Sequence, residues 1–273
     1  DVHIIGKDIL RFHTIYWPIF LMALGLPLPK KVFGHPWFNF GNDKMSKSKG
    51  NVVFADTLAE DIGVDGVRHY ALSEMPYNSD GSITYENVIN SYNTDLANNL
   101  GNLLSRTHAM TKKYFDGIVP APAGEEGPDQ DLKATVFAAR ENSRNLAEAF
   151  HIADALDEIF SMLRRANKYI DETTPWALAK DEAKKDYLEA VLATLLECIR
   201  IIARLLAPIT PEASDKIKAQ IGTEIDALEF GTVTEYKVGE ATPIFARIDM
   251  EKALAEIAAE AEAKAKEAEK AEN

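Results

Sequence analysis

The chain has 273 residues, with 30 Lys and Arg against 43 Asp and Glu, a formal net charge of -13 and a pI near 5.0. Its 46% hydrophobic and 27% charged residues exclude a disordered chain, and its length allows one to three compact domains. No stretch of eighteen apolar residues offers a membrane span, and the lone Cys198 excludes an internal disulfide or a cysteine-based zinc cluster. The first residues carry no signal-peptide pattern, so a reducing cytoplasm is the expected compartment. Taken alone, the acidic total speaks against nucleic acid, whose phosphates favour basic surfaces.

Val2 to Ile5 reads as a parallel strand with apolar residues on both faces. A helix from Asp8 to Leu24 follows, kinked at Pro18, and then a second apolar segment from Lys31 to Phe40 interrupted by Gly34 and Pro36. Strand, helix and strand make one βαβ unit, which normally belongs to a larger doubly wound sheet. With Asp rather than Met at position 1, the expectation is that further strands lie upstream and that this is the C-terminal part of a longer protein. Short helices are predicted over 57–63 and 65–74, then a turn at 76–81 and a long helical stretch from Tyr85 to Tyr114 broken near Tyr92. The Pro-, Gly- and Glu-rich segment 117–129 reads as a linker. From Asp131 to Ile221 the hydrophobic period stays near 3.6, the mark of an antiparallel helix bundle, with Tyr187 to Ala207 as its buried central helix. The Ala-, Glu- and Lys-rich tail from Asp249 carries eight acidic and four basic residues, so a solvated helix or linker is expected there.

The most specific string is Lys44-Met45-Ser46-Lys47-Ser48, between Gly41 and Gly50. Two lysines on a glycine-flanked turn can stabilise charge that builds on a pyrophosphate leaving group. The alternative for a generic lysine-rich turn is a solvated loop. Upstream, Gly6 falls at the C-terminal end of the first strand, where open α/β sheets bind ligands. Asp8 can accept hydrogen bonds from ribose hydroxyls, or can simply cap the following helix. Ile9, Phe12, His13 and Trp17 recur on one side of that helix, as core packing or as a substrate pocket. Further on, Asn98, Asn102 and Arg106 are spaced i, i+4, i+8, opposite a Leu96, Leu100, Leu103, Leu104, Met110 stripe. Two amides and a guanidinium can read the edges of splayed bases, or make ordinary inter-helix hydrogen bonds. Pro175 suits a first helical position and presents Trp176 at a helix start, where a base can stack; an ordinary core tryptophan is the alternative. Arg68 and His69 either touch an RNA backbone or support the lysine loop.

Together these residues resemble the methionyl-tRNA synthetases, a family of class I aminoacyl-tRNA synthetases. The resemblance runs through Gly6-x-Asp8-x-x-x-x-His13, the Phe12 to Pro18 segment, the lysine loop, Asp95 to Asn102 with Arg106, and Pro175-Trp176. It covers the chain to about Asp249. The lysine loop alone would indicate only class I; Phe-His-x-x-x-Trp-Pro and Pro-Trp narrow it to methionine. The resemblance implies a mainly α fold: the C-terminal piece of a Rossmann-type catalytic domain (1–56), a stem-contact region (57–94), a helical anticodon-binding domain (95–235) and an extension (236–273).

It further implies ATP-dependent activation of methionine to methionyl-adenylate and transfer to tRNA(Met), with Mg2+ accompanying ATP and no membrane involved. Gly6, Asp8, His35, Phe38 and the lysine loop from Lys44 to Ser48, including Met45, Ser46 and Lys47, would bind ATP, with Lys44 and Lys47 catalytic. Ile9, Phe12, His13 and Trp17 would line the methionine pocket, where soft apolar contacts suit a thioether. Asn98, Asn102, Arg106, Pro175 and Trp176 would contact the anticodon, and no metal ligands are implied. Pro36 stands where the family has Gly, and the class's His-Ile-Gly-His-like motif and the family's zinc-knuckle cysteines are absent from this sequence. The chain alone is therefore expected to be inactive. The competing expectation is a non-catalytic RNA-binding module derived from such an enzyme. The charge also divides by location: seven basic and two acidic residues lie between Lys7 and Lys49. An acidic total thus still disfavours a non-specific nucleic-acid binder, but not a selective one.

Overall fold

The computed structural model describes residues 1–41, 43–45, 53–74, 79–120 and 128–259, and they are mainly helical. Strands β1 (Val2–Gly6) and β2 (Lys31–His35) run parallel, with Gly6 beside His35. Between them lie a 3-10 turn (Lys7–Ile9), a π-wound turn (Phe12–Tyr16) and α1 (Trp17–Ala23). The expected kink at Pro18 takes the form of that wide turn. Proline offers no N–H, and the Trp17 N–H reaches back five residues to the Phe12 carbonyl.

The predicted second segment, 31–40, is two strands in different sheets, divided at the buried Pro36. Strand β3 (Phe38–Phe40) pairs antiparallel with β4 (Asp43–Lys44) and parallel with β5 (Gly81–Ile83). Helix α2 (Ala55–Ser73) joins the two short helices expected there across Gly63, whose φ of 75° no ordinary side chain adopts without strain. Thr84 caps α3 (Tyr85–Ser91) by accepting the Asn87 N–H at 3.1 Å. The chain then continues helically through a π-wound stretch (Tyr92–Gly101) into α4 (Asn102–Phe115). The break foreseen near Tyr92 is thus a change of winding, not an interruption.

The segment expected as a linker begins with β6 (Ile118–Pro120), which pairs antiparallel with β7 (Glu235–Lys237). Neither strand shows a sequence signal, because three residues are too few for a period and the partner lies over a hundred positions away. Helices α5 (Pro128–Glu148), α6 (Ile152–Thr173), α7 (Pro175–Leu178), α8 (Lys185–Leu206) and α9 (Pro211–Ile221) complete the helical part. Its core is built from α8, α6 and the leucine stripe Leu96, Leu100, Leu103 and Leu104. Within apolar α8, Glu197 and Arg200 form a fully buried ion pair at 2.7 Å, and Arg200 also donates to the Ala227 and Glu229 carbonyls.

Helix α2 holds the α8–α9 corner. Arg68 donates to the Pro208 and Ile209 carbonyls at 2.7 and 2.9 Å, and Asp65 accepts the Ala213 N–H at 2.7 Å. The guanidinium read as a stem contact is therefore engaged at the C-terminus of α8. His69 is buried beside Phe160, the two ring centroids 5.0 Å apart. Beyond β7 the chain crosses back over the helices as an irregular strap, 238–248. The segment 250–259 is helical, and Ala253 and Ile257 line a cleft together with Leu58 and Ile62 of α2 and Val88 and Ile89 of α3. On this helix Ala253, Leu254 and Ile257 are half-buried and the residues between them are exposed.

Candidate active site and nucleic-acid interface

The parallel register of β1 and β2 sets the first site. Gly6 and His35 are neighbours at the C-terminal ends of both strands, where a parallel sheet presents its ligands. A Cβ on Gly6 would come within 2.6 Å of the Asp8 Oδ1, so glycine lets that carboxylate fold back over the strand end. Asp8 lies inside the 3-10 turn Lys7–Ile9, whose N-cap position is Gly6, so it does not occupy the capping position. His35 is half-buried, with Nδ1 2.9 Å from the Pro36 carbonyl, and Phe38 is half-buried in β3. Strand β4 carries the backbone of Lys44 opposite Asn39, and Met45 follows, half-buried. The Lys44 side chain, Ser46, Lys47 and Ser48 lie outside the described residues.

Lys7 is a member that sequence reasoning missed. It pairs with Asp80 and lies 4.4 Å from the centroid of the Trp37 ring, while Asp80 also accepts the Trp37 N–H at 3.0 Å. Those two donors hold the Asp80 carboxyl below the usual carboxylate range. The tie joins the strand end to the entry of β5 across 73 residues, a separation that no local pattern reveals.

A cleft of about 590 Å3 opens beside β1, lined by Phe12, His13 and Trp17 together with His3, Tyr16 and Phe20. Three of the four residues expected in a methionine pocket therefore meet; Ile9 is not among the lining residues. Its carbonyl instead lies 3.1 Å from His13 Nδ1. A carbonyl only accepts, so Nδ1 is the donor in this hydrogen bond. His3 meets His13 edge-on at 6.0 Å.

The second site lies on the helical part. Asn98 and Asn102 are exposed on successive turns, one on each side of the junction between π and α winding. Arg106, half-buried, donates to Asp171 at 3.0 Å and lies 6.0 Å from the centroid of Trp176. Trp176 is 44% exposed, whereas Pro175 is buried, so the pair presents the indole alone. Thr174 holds the left-handed conformation (φ 44°, ψ 62°) that turns the chain from α6 into α7 and sets the indole's direction. Two clefts open along the helix that carries Asn98, Asn102 and Arg106. One, of about 360 Å3, is lined by Arg106, Met110, Tyr114 and Trp176; the other, of about 400 Å3, lies beside Asn98 and Asn102.

Residues 119–259 match the model of the anticodon-binding domain of methionyl-tRNA ligase, and residues 1–108 match class I tRNA synthetases (M). The chain belongs to the methionyl-tRNA ligase family. It is 52% identical over 264 residues to methionine–tRNA ligase of Clostridium perfringens, covering 95% of this chain and 41% of that protein. It is 50% identical over 262 residues to the Clostridium acetobutylicum enzyme, again covering 41% of it. Mycobacterium tuberculosis methionyl-tRNA synthetase, solved in complex with methionyl-adenylate, superposes with a TM-score of 0.85 at 40% identity, over 90% of this chain and 50% of that one. The chain thus spans about two fifths of the length of the curated relatives that it matches. Among the described residues no helix is long and apolar enough to cross a membrane, and no group of His, Cys, Asp and Glu is arranged to hold a metal ion.

Proposed function

We propose that this chain is the C-terminal portion of a methionine–tRNA ligase acting in the cytoplasm, which forms methionyl-adenylate from methionine and ATP and transfers methionine to tRNA(Met). Residues 1–56 would be the last part of a Rossmann-type catalytic domain, 57–94 a stem-contact region, 95–235 an antiparallel anticodon-binding bundle and 236–273 an extension. Exposed apolar side chains on β1, on α1 and just after it, Ile4, Met22 and Leu24 among them, support the first assignment, since a larger sheet would cover them. At the strand ends, Gly6, Asp8, His35 and Phe38 would hold ATP, with Mg2+ arriving on its phosphates as part of the substrate. Phe12, His13 and Trp17 would hold the methionine side chain in this largely apolar cleft. As the methionine carboxylate attacks the α-phosphate, Lys44 and Lys47 would neutralise the departing pyrophosphate.

The observation that carries the RNA half of this reading is the exposed Trp176 indole, held beside Arg106 on the side of the helix that shows Asn98 and Asn102. Neutral amides and an aromatic face read bases without a phosphate-wide positive surface, which reconciles tRNA recognition with a net charge of -13. Trp176→Ala is expected to weaken binding of a tRNA(Met) anticodon stem–loop by about 1–3 kcal/mol, with an unchanged circular dichroism spectrum. Equal affinity in a filter-binding titration would overturn the anticodon assignment. The 273-residue chain is expected to give no methionine-dependent ATP–pyrophosphate exchange, while the whole protein does. Exchange by neither would favour a non-catalytic RNA-binding module.

A further inference from the structure

One residue of the turn between α5 and α6 is held against its own conformational preference. The Phe150 N–H donates to the Ala147 carbonyl at 3.0 Å and the His151 N–H to the Leu146 carbonyl at 2.9 Å. This pair of bonds ends a helix on a left-handed residue, and Phe150 is that residue, with φ 70°. Glycine takes this conformation freely, whereas a bulky side chain takes it only with strain. The backbone of the turn gains nothing from a phenylalanine, so the reason for one lies in its ring.

The ring reaches the other region of the molecule. It stacks on Phe33 of β2, with centroids 5.2 Å and planes 23° apart, and the Lys31 ammonium lies 4.2 Å from its centroid. Lys31 and Phe33 are two positions apart in one strand, so both side chains leave β2 on the same face and the Phe150 ring packs across them. Two residues further along is His35, beside Gly6 at the proposed ATP site. In the other direction α6 runs 22 residues, about 33 Å, from this turn to Thr173. There Asp171 accepts from Arg106, and Thr174 sets the direction of Trp176. Leu156, Ile159, Leu163, Ala166 and Tyr169 pack α6 into the core along its length, so its two ends are fixed relative to each other.

We infer that Phe150 is a positioning residue: packed against Phe33 and Lys31, it fixes the start of α6 on the ATP-site strand and so sets the span between that site and Trp176. The inference rests on the tRNA-ligase reading above and adds to it the contact that holds the two sites at one separation. A single tRNA has to reach both. Arg68 and Asp65 already join α2 to the α8–α9 corner. One joint leaves the catalytic part free to pivot about it, and a second contact on β2 removes that freedom. The stack offsets the strain only while β2 and the turn touch, which ties the conformation of the turn to the joint.

The test compares three measurements on the whole protein that carries this chain: methionine-dependent ATP–pyrophosphate exchange, binding of the tRNA(Met) anticodon stem–loop, and aminoacylation of intact tRNA(Met). Only the third needs both sites on one RNA. Phe150→Gly suits the left-handed turn and removes the ring. Exchange and stem–loop affinity are expected to stay unchanged, while kcat/KM for aminoacylation falls about ten-fold. Phe33→Val keeps a strand-forming residue, should cause the same loss, and should add nothing to Phe150→Gly. Phe150→Tyr retains the stack and should keep aminoacylation at the wild-type level. Unchanged aminoacylation in Phe150→Gly, additive losses in the double variant, or a loss shared equally by all three measurements would overturn the positioning role and leave both sites standing. A whole wild-type protein that neither exchanges pyrophosphate nor binds the stem–loop would overturn the functional reading, and this inference with it.

Discussion

Helices α1 and α8 are both rich in large apolar residues, yet they end in opposite environments. In α8 almost every such side chain is buried, from Leu188 to Leu206. In α1 only Leu21 is, while Met22 and the following Leu24 are 68% and 70% exposed and Ile4 of β1 is 64% exposed. The difference is topological. Helices α5, α6, α8 and α9 fold back on one another and on α4, so their stripes close into one core. The β1–α1–β2 unit has a sheet with two faces and one helix to cover them. Similar sequences thus make a complete interior in one region and an exposed apolar face in the other.

The largest expected effect probes how completely the helical core is closed. Arg200→Ala leaves Glu197 as an unpaired charge at zero exposure and removes the anchor of the Ala227 and Glu229 carbonyls. Urea denaturation is expected to show a loss of about 3–5 kcal/mol, whereas replacing both partners by apolar residues of like volume should cost far less. Next, Leu195→Ala should cost about 2–5 kcal/mol by opening a cavity in α8.

The third prediction uses pH. Burial pushes His69 down to about 4 and outweighs the Asp95 carboxylate 3.8 Å away. Between pH 6.5 and 4 the unfolded chain then takes up a proton at this residue that the folded chain does not. Stability is complete above pH 6.5 and falls as pH drops toward 4, by on the order of 3 kcal/mol from this residue. Asp65 and Asp95, raised by burial, act with the opposite sign over the carboxylate range, so the measurement is a difference. His69→Leu should flatten the melting-temperature profile between pH 6.5 and 4; an unchanged slope would show that His69 is solvated.

A smaller effect is expected at the joint between α2 and the bundle. Arg68→Ala removes two hydrogen bonds to the end of α8 and should cost about 1.5–3 kcal/mol in a thermal melt. The smallest closes the comparison: Leu24→Ala, chemically the same change as Leu195→Ala, should shift stability by less than about 0.5 kcal/mol in this chain. A cost comparable to that of Leu195→Ala would show α1 to be packed in solution and would break the contrast.

Local pattern was enough for much of this molecule. Period-3.6 spacing marked α5 to α9, and the i, i+4, i+8 spacing put Asn98, Asn102 and Arg106 along one helix, because a helix repeats its faces whatever surrounds it. Apolar runs flanked by Gly and Pro marked β1 and β2, and their parallel register brought Gly6 to His35. Short-range residue strings also carried the family. Other features depend on pairs far apart in the chain, and these only the tertiary structure decided. The Lys7–Asp80–Trp37 tie, the engagement of Arg68 with the α8–α9 corner, the β6–β7 ladder and the strap latched by Asn93 and Gln220 each join residues 22 to 155 positions apart. A single amide or guanidinium in sequence states what it can donate or accept, not which backbone will arrive to meet it. That is set by how the helices fold back, and it brings Phe150, from the turn after α5, onto Phe33 of β2.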